Sequence, residues 1–279
     1  MQQREIREIR TAHPSRDGDG VAIERISGMR HIAMDPILMI DELRSDHRQD
    51  FAGGFPSHPH RGMQTLTFMK KGGFLHEDSQ GNRGEIRGGG AQWMSAGRGI
   101  IHSEMPTQDT DGLHGFQIWI NLPAAEKMSE PRYRDAPADQ LTHWQGKGIE
   151  ATAISGQWAL AGAEVQGPLD GLAQQAAILD LVLAPGGALE LSVPESENLV
   201  GYVYDGSVAV QGRAAEARQL LVTGSGDRLL LDAGESGASL LLLRGEPLRE
   251  PVAHYGPFVM NTHEEIELTL RDYQAGQFP

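Results

Sequence analysis

SHPHRG at residues 57–62 and GRGIIHSE at residues 97–104 decide how this chain is read. His58 and His60 stand two residues apart, and so do His102 and Glu104. On an extended strand that spacing turns both side chains of a pair to one face. Two such strands crossing inside one barrel would offer three imidazoles and one carboxylate to a single ion. That donor set favours a divalent first-row transition metal over calcium or magnesium, which prefer oxygen ligands. A lone His-x-His is usually structural. The pairing with a second His-x-Glu motif across a strand-rich segment makes a shared ion the stronger reading.

The segment between the motifs is β in character. Residues 66–69 form an apolar run after a tight Arg61-Gly62, and residues 91–94 and 100–104 are short strands set off by Gly97 and Gly99. Upstream, residues 21–26 alternate, residues 36–41 are apolar with a polar end, and residues 42–54 suit a loop leading to the first histidine pair. Downstream, FQIWINL (116–122) puts Phe116, Ile118 and Ile120 on one face of a strand and Gln117, Trp119 and Asn121 on the other.

These residues closely resemble the pirin family, whose members are two-domain proteins of the cupin superfamily. The resemblance rests on MDPILMIDE (34–42), GGFPSHPHRGMQTLTF (53–68), LHEDSQGNRGEIRGGGAQWMSAGRGIIHSEMP (75–106) and HGFQIWINLPAAEKMSEPRY (114–133). It weakens through the second half and sharpens again at HYGPFVMNTHEEI (254–266). The family's metal ligands fall on His58, His60, His102 and Glu104. Cupins often carry a glutamate four residues after the second histidine, where this chain has Gln64. Gln64 then either sits beside the metal or is an ordinary polar strand residue.

The fold expected is all-β: two cupin (jelly-roll β-barrel) domains in tandem with a short C-terminal helix. The expected division is a metal-binding domain over 1–140 and a metal-free domain over 141–279, with the linker near 135–148. In the second half, short strands at 178–183, 189–193, 199–204, 219–222, 228–231 and 239–243 alternate with Gly, Pro or Asp turns. GYVYDGSVAVQG (201–212) looks like a copy of the first barrel's hairpin. No histidine lies between His143 and His254, so this copy is expected to hold no metal. Thr262 with Glu265 forms a capping box; Ile266, Leu270 and Tyr273 make an apolar stripe, and Gly276 is a fitting stop.

Composition removes several function classes. With 24 basic against 38 acidic residues the net charge is −14, which disfavours direct nucleic-acid binding. The absence of cysteine rules out disulfides, thiolate metal sites and thiol catalysis. The charged start MQQREIREIR has no apolar signal core, and no apolar run reaches membrane-spanning length, so a cytoplasmic location is expected. GGG (88–90) and GSGD (224–227) lack the spacing and context of phosphate loops. His76 and His254 are read as structural histidines, and Glu77-Asp78 as a solvent-facing turn.

The resemblance implies a metal-dependent dioxygenase that cleaves flavonols such as quercetin with dioxygen and releases carbon monoxide. Glu104 would be both ligand and base. One divalent transition metal per chain is implied, iron(II) first, with copper, nickel, manganese, cobalt or zinc as alternatives. Phe55, Met63, Trp93 and Phe116 are candidate walls for a flat aromatic or enolic substrate, with His114 nearby. The alternative function is a non-enzymatic, redox-responsive regulator whose partner is a protein such as a transcription regulator.

Overall fold

The computed structural model describes residues 2–278, and its strands form two compact units. One unit comprises Pro14–Arg30, Ile37–Asp139 and Leu248–Pro279; the other comprises Met1–His13, His31–Pro36 and Gln140–Pro247.

The first unit is built from two facing antiparallel sheets. The larger runs, in spatial order, Arg132–Ala136, Ala91–Ser95, Met63–Lys71, Leu113–Asn121, Ile37–Ser45, Val21–Ser27 and His13–Asp17. The smaller runs Phe55–His60, Ile100–Pro106, Gly73–Asp78 and Arg83–Arg87. Their inner faces meet in an apolar cluster of Val21, Ile23, Leu43, Met69 and Leu113 from the larger sheet with Phe74 and Ile86 from the smaller. This cluster fills one part of the interior. Residues 42–45, read from sequence as the start of a loop, instead continue the strand Ile37–Ser45. Their partners on Leu113–Asn121 supply the pairing that polarity alone concealed.

The other unit is a barrel-like sheet around an aliphatic core that includes Leu179, Leu181, Leu229, Leu231, Leu240 and Leu242. Its strands match the expected positions with one change. The segments at 228–231 and 239–243 belong to a single strand, Arg228–Gly245, rather than two. Register shifts in its pairing with Asn198–Val210, and Gly237 at φ 84°, let it bend where the sequence suggests a turn.

The terminal helix, His263–Gln274, has the capping box that Thr262 and Glu265 predict. The sequence reading assigns it to the second half of the chain, but it packs in the histidine-bearing unit. Its Ile266 joins Ala253, Phe258 and Met260 in one apolar cluster, and Asp272 pairs with buried Arg61 at 2.7 Å. The Arg61 guanidinium also lies 4.4 Å from the Phe278 ring centre. Arg61 directly follows the first histidine pair, so the C-terminal segment braces the strand that carries it.

Lys127 secures the same junction. Its ammonium donates to Gly62 O (2.8 Å), Val259 O (3.0 Å) and Asn121 Oδ1 (2.7 Å), using all three protons. Burial pulls its pKa down to about 8, opposed by Glu250 and Glu265. Lys127→Met fills the space but strands three buried acceptors, each costing about 1–3 kcal/mol. The expected net destabilisation is on the order of 3 kcal/mol, read from the urea midpoint of this unit.

Candidate metal centre

His58 and His60 lie on Phe55–His60, and His102 and Glu104 on the neighbouring strand Ile100–Pro106. In this antiparallel pair His102 stands opposite His58. The spacing of His58 and His60 turns both rings to one face, where His102 meets them. The register shifts by one residue between His102 and Glu104, so Glu104 faces Phe55 rather than Pro56.

Three ring nitrogens converge there. His58 Nε2 is 3.1 Å from His60 Nε2 and 2.9 Å from His102 Nε2. His60 and His102 are buried, and His58 is partly exposed. The opposite ring nitrogens set the tautomers. His58 Nδ1 donates to Pro56 O at 2.8 Å and His60 Nδ1 to Pro257 O at 3.3 Å. Their Nε2 atoms consequently present lone pairs, which repel at this distance unless a cation lies between them. Burial, then the neighbouring His58, depresses the pKa of His60 well below its usual value. Burial, then His60, His58 and His76, does the same for His102. Lowered pKa values favour the neutral, ligating form of the His60 and His102 rings. Nitrogens about 3 Å apart match adjacent ligands on one ion with bonds of about 2.1 Å. The residues fit a transition metal.

Among the described residues, His58, His60 and His102 form the one group of three or more histidine or carboxylate donors that could hold an ion, their ligand atoms lying within 4.8 Å of one another. The Glu104 carboxylate is buried near them but outside that grouping. Thr67 Oγ1 donates to its Oε1 at 3.1 Å and Gln117 Nε2 to its Oε2 at 3.3 Å.

His58, His60 and Glu104 edge a cavity of about 740 Å³. Its opposite wall is a single face of the larger sheet. Gln117 pairs with both Thr67 and Asp41, Trp119 with Met39, Arg25 with Asp41 and Ser27 with Met39. Since paired residues share a face, one register delivers all of them to one side. Trp119 packs edge-on against His60 at 5.3 Å. Arg25 grips Asp41 with Nε (2.8 Å) and Nη2 (2.6 Å), and reaches Asp17 as well. Burial pushes the Asp41 carboxyl up, and Arg25 works against it. His254, Gly256 and Pro257 close another side of the cavity.

The same alternation places Gln64, Phe68 and Phe116 on the other face of the larger sheet from Thr67 and Gln117. Gln64 does not line the main cavity; its amide is 3.5 Å from Ser95 Oγ. Phe116 stacks on Phe68 at 6.4 Å, and also touches a small pocket beside Glu104. Met63 packs with Leu38 and Val259, and Trp93 lies under Arg132, both away from the main cavity. His114 is held by Glu42 at 3.0 Å. Of the proposed aromatic walls, Phe55 lines the main cavity. Thr67, Gln117 and Trp119 escaped sequence reasoning, although FQIWINL carried the signal: its polar face is the one turned to the site.

The family model for pirin matches residues 21–120, and the model for the pirin C-terminal cupin domain matches residues 178–279. The chain is 45% identical over 277 residues to a Vibrio cholerae protein named "Putative quercetin 2,3-dioxygenase", covering 99% of this chain and 98% of that one. The crystal structure of a quercetin 2,3-dioxygenase from Acinetobacter baumannii superposes with a TM-score of 0.90 at 29% identity, covering 99% of each chain. An Escherichia coli pirin in complex with nickel(II) shares the fold at 22% identity and a TM-score of 0.62, over 86% of this chain and 99% of that one. Two cupin domains in tandem, both matched by the family's own models, place this chain in the pirin family.

Proposed function

We propose that this chain is a flavonol dioxygenase of the quercetinase type, with His58, His60, His102 and Glu104 holding one iron(II) ion. The observation that carries the reading is three histidine Nε2 atoms converging beside a cavity edged by His58, His60 and the buried, hydrogen-bonded Glu104 carboxylate. Relatives named for quercetin cleavage support the choice of substrate.

Held by His58, His60, His102 and Glu104, a divalent ion would supply Lewis acidity that lowers the pKa of an enolic hydroxyl and favours its reaction with dioxygen. The chain's own residues do the rest. Phe55, Met39 and Trp119 form apolar walls for the flat rings, in a volume within the range usual for small-molecule sites. Glu104 accepts the proton of the flavonol 3-hydroxyl. Thr67 and Gln117 fix its carboxylate, so the base does not have to be reoriented at each turnover. The buried setting limits water access to the electron-rich flavonolate. Both atoms of dioxygen enter the cleaved product, two ring bonds break and the carbon between them leaves as carbon monoxide.

The test is aerobic turnover of quercetin by protein reconstituted with iron(II), following loss of flavonol absorbance and release of carbon monoxide. Metal analysis of the same samples is expected to give about one ion per chain, since the histidine cluster is confined to one unit. Two ions per chain, or none after reconstitution, contradicts the assignment. Full metal loading without turnover of any flavonol removes the enzymatic reading and leaves the regulatory one.

A further inference from the structure

The third ligand histidine differs from the other two in how its far nitrogen is held. His58 and His60 donate to backbone carbonyls. His102 Nδ1 instead faces the Nδ1 of a second imidazole, His76, at 3.4 Å. His76 Nε2 lies 3.2 Å from Asp78 Oδ2. We propose that His76 and Asp78 form a positioning relay that locks His102 in the tautomer with Nε2 free for the metal and makes that nitrogen a stronger donor. The proposal rests on the metal-centre reading above.

The polarity of the chain follows from its far end. Asp78 Oδ1 accepts from the backbone N–H of Gln80 and of Asn82, each at 2.9 Å. Its Oδ2 accepts from Asn82 Nδ2 at 2.9 Å and from His76. A carboxylate that already accepts from three other donors is an acceptor only, so His76 must present Nε2–H to it. A neutral imidazole with its proton on Nε2 has a bare Nδ1. Among the described residues the partner of that Nδ1 is His102, which must then donate from its own Nδ1. Its Nε2 is left as a lone pair aimed at His58 Nε2, 2.9 Å away. Each link has one permitted direction.

Packing makes the arrangement rigid. The Asp78 side chain is fully buried and His76 is 1% exposed. This corrects the expectation of a solvent-facing turn at Asp78: strand Gly73–Asp78 pairs with Ile100–Pro106, placing Asp78 opposite His102 and His76 opposite Glu104. His76 and His102 are therefore diagonal neighbours on one sheet face, within reach of ring-to-ring contact. Tyr133 lies over the His76 ring at 4.7 Å and limits its rotation. Hydrogen-bonded partners of this kind orient a ligand imidazole and raise its basicity.

Two measurements test the relay. Zinc(II) affinity, measured by competition with a chromophoric chelator, is expected to fall about 10- to 100-fold in His76→Ala. His76→Asn, whose amide oxygen replaces the accepting Nδ1, should recover part of that loss. In metal-free, 15N-histidine-labelled wild type, two-bond 1H–15N correlations should show His102 as the Nδ1–H tautomer, and His76→Ala should shift it towards Nε2–H. The wild-type spectrum does not depend on how well any variant folds. Unchanged zinc affinity in His76→Ala, equal losses in the Ala and Asn variants, or an Nε2–H tautomer of His102 in wild type overturns the relay. Failure of wild type to bind zinc or iron overturns the metal centre itself, so the two failures are distinguishable.

Discussion

Glu104→Gln is expected to lower flavonol turnover about 10²- to 10⁴-fold, the usual cost of losing a general base, while the protein keeps much of its metal. The substitution preserves shape and one oxygen acceptor for Thr67, so local packing survives. It removes the anion that takes the 3-hydroxyl proton, and it turns an amide donor towards Gln117 Nε2. The measurement is the rate of carbon monoxide release per bound metal. Normal turnover per metal would show that another group is the base. Loss of metal in parallel with activity would show that Glu104 acts chiefly as a ligand.

His102→Ala should abolish the stabilisation that metal confers. An ion that binds only the folded chain adds about 2.7 kcal/mol when its free concentration is a hundred times its dissociation constant. For a chain of this size that raises the melting temperature by roughly 5–10 °C. Chelation should therefore cost wild type about this shift and leave His102→Ala almost unchanged. His58→Ala should behave in the same way, since its Nε2 approaches both other rings. Equal shifts on chelation in wild type and variants would place the metal elsewhere. The fold should persist without metal in every case, because both units have apolar cores built from residues other than the four proposed ligands.

Much of the site is legible in the sequence because strand alternation acts locally. Two residues apart means one face, so His58 with His60 and His102 with Glu104 could be paired before any contact was known. The capping box at Thr262 and Glu265 is local in the same way and appears as expected. The errors fall where the answer depends on which face is inside. Phe116 is apolar and attracts a substrate role, yet its face packs on Phe68, while the polar face of Gln117 and Trp119 turns to the cavity. The polarity of Gln117 is the signal for that face; the aromatic character of Phe116 points to the wrong side of the strand.

His76, Asp78 and the terminal helix mark the same boundary. Sequence alone determined most of the strand grammar and the two-residue spacing that brings His58, His60 and His102 together, because each rests on a repeat within a few residues. Only the tertiary structure decided that Asp78 is buried against His76, that Thr67 and Gln117 hold Glu104, and that residues 248–279 brace the first barrel. Those outcomes depend on register between strands and on docking between segments up to 211 positions apart, as for Arg61 and Asp272. Spacing along a strand is set by the backbone repeat, whereas register and docking are set by the summed burial of many distant side chains.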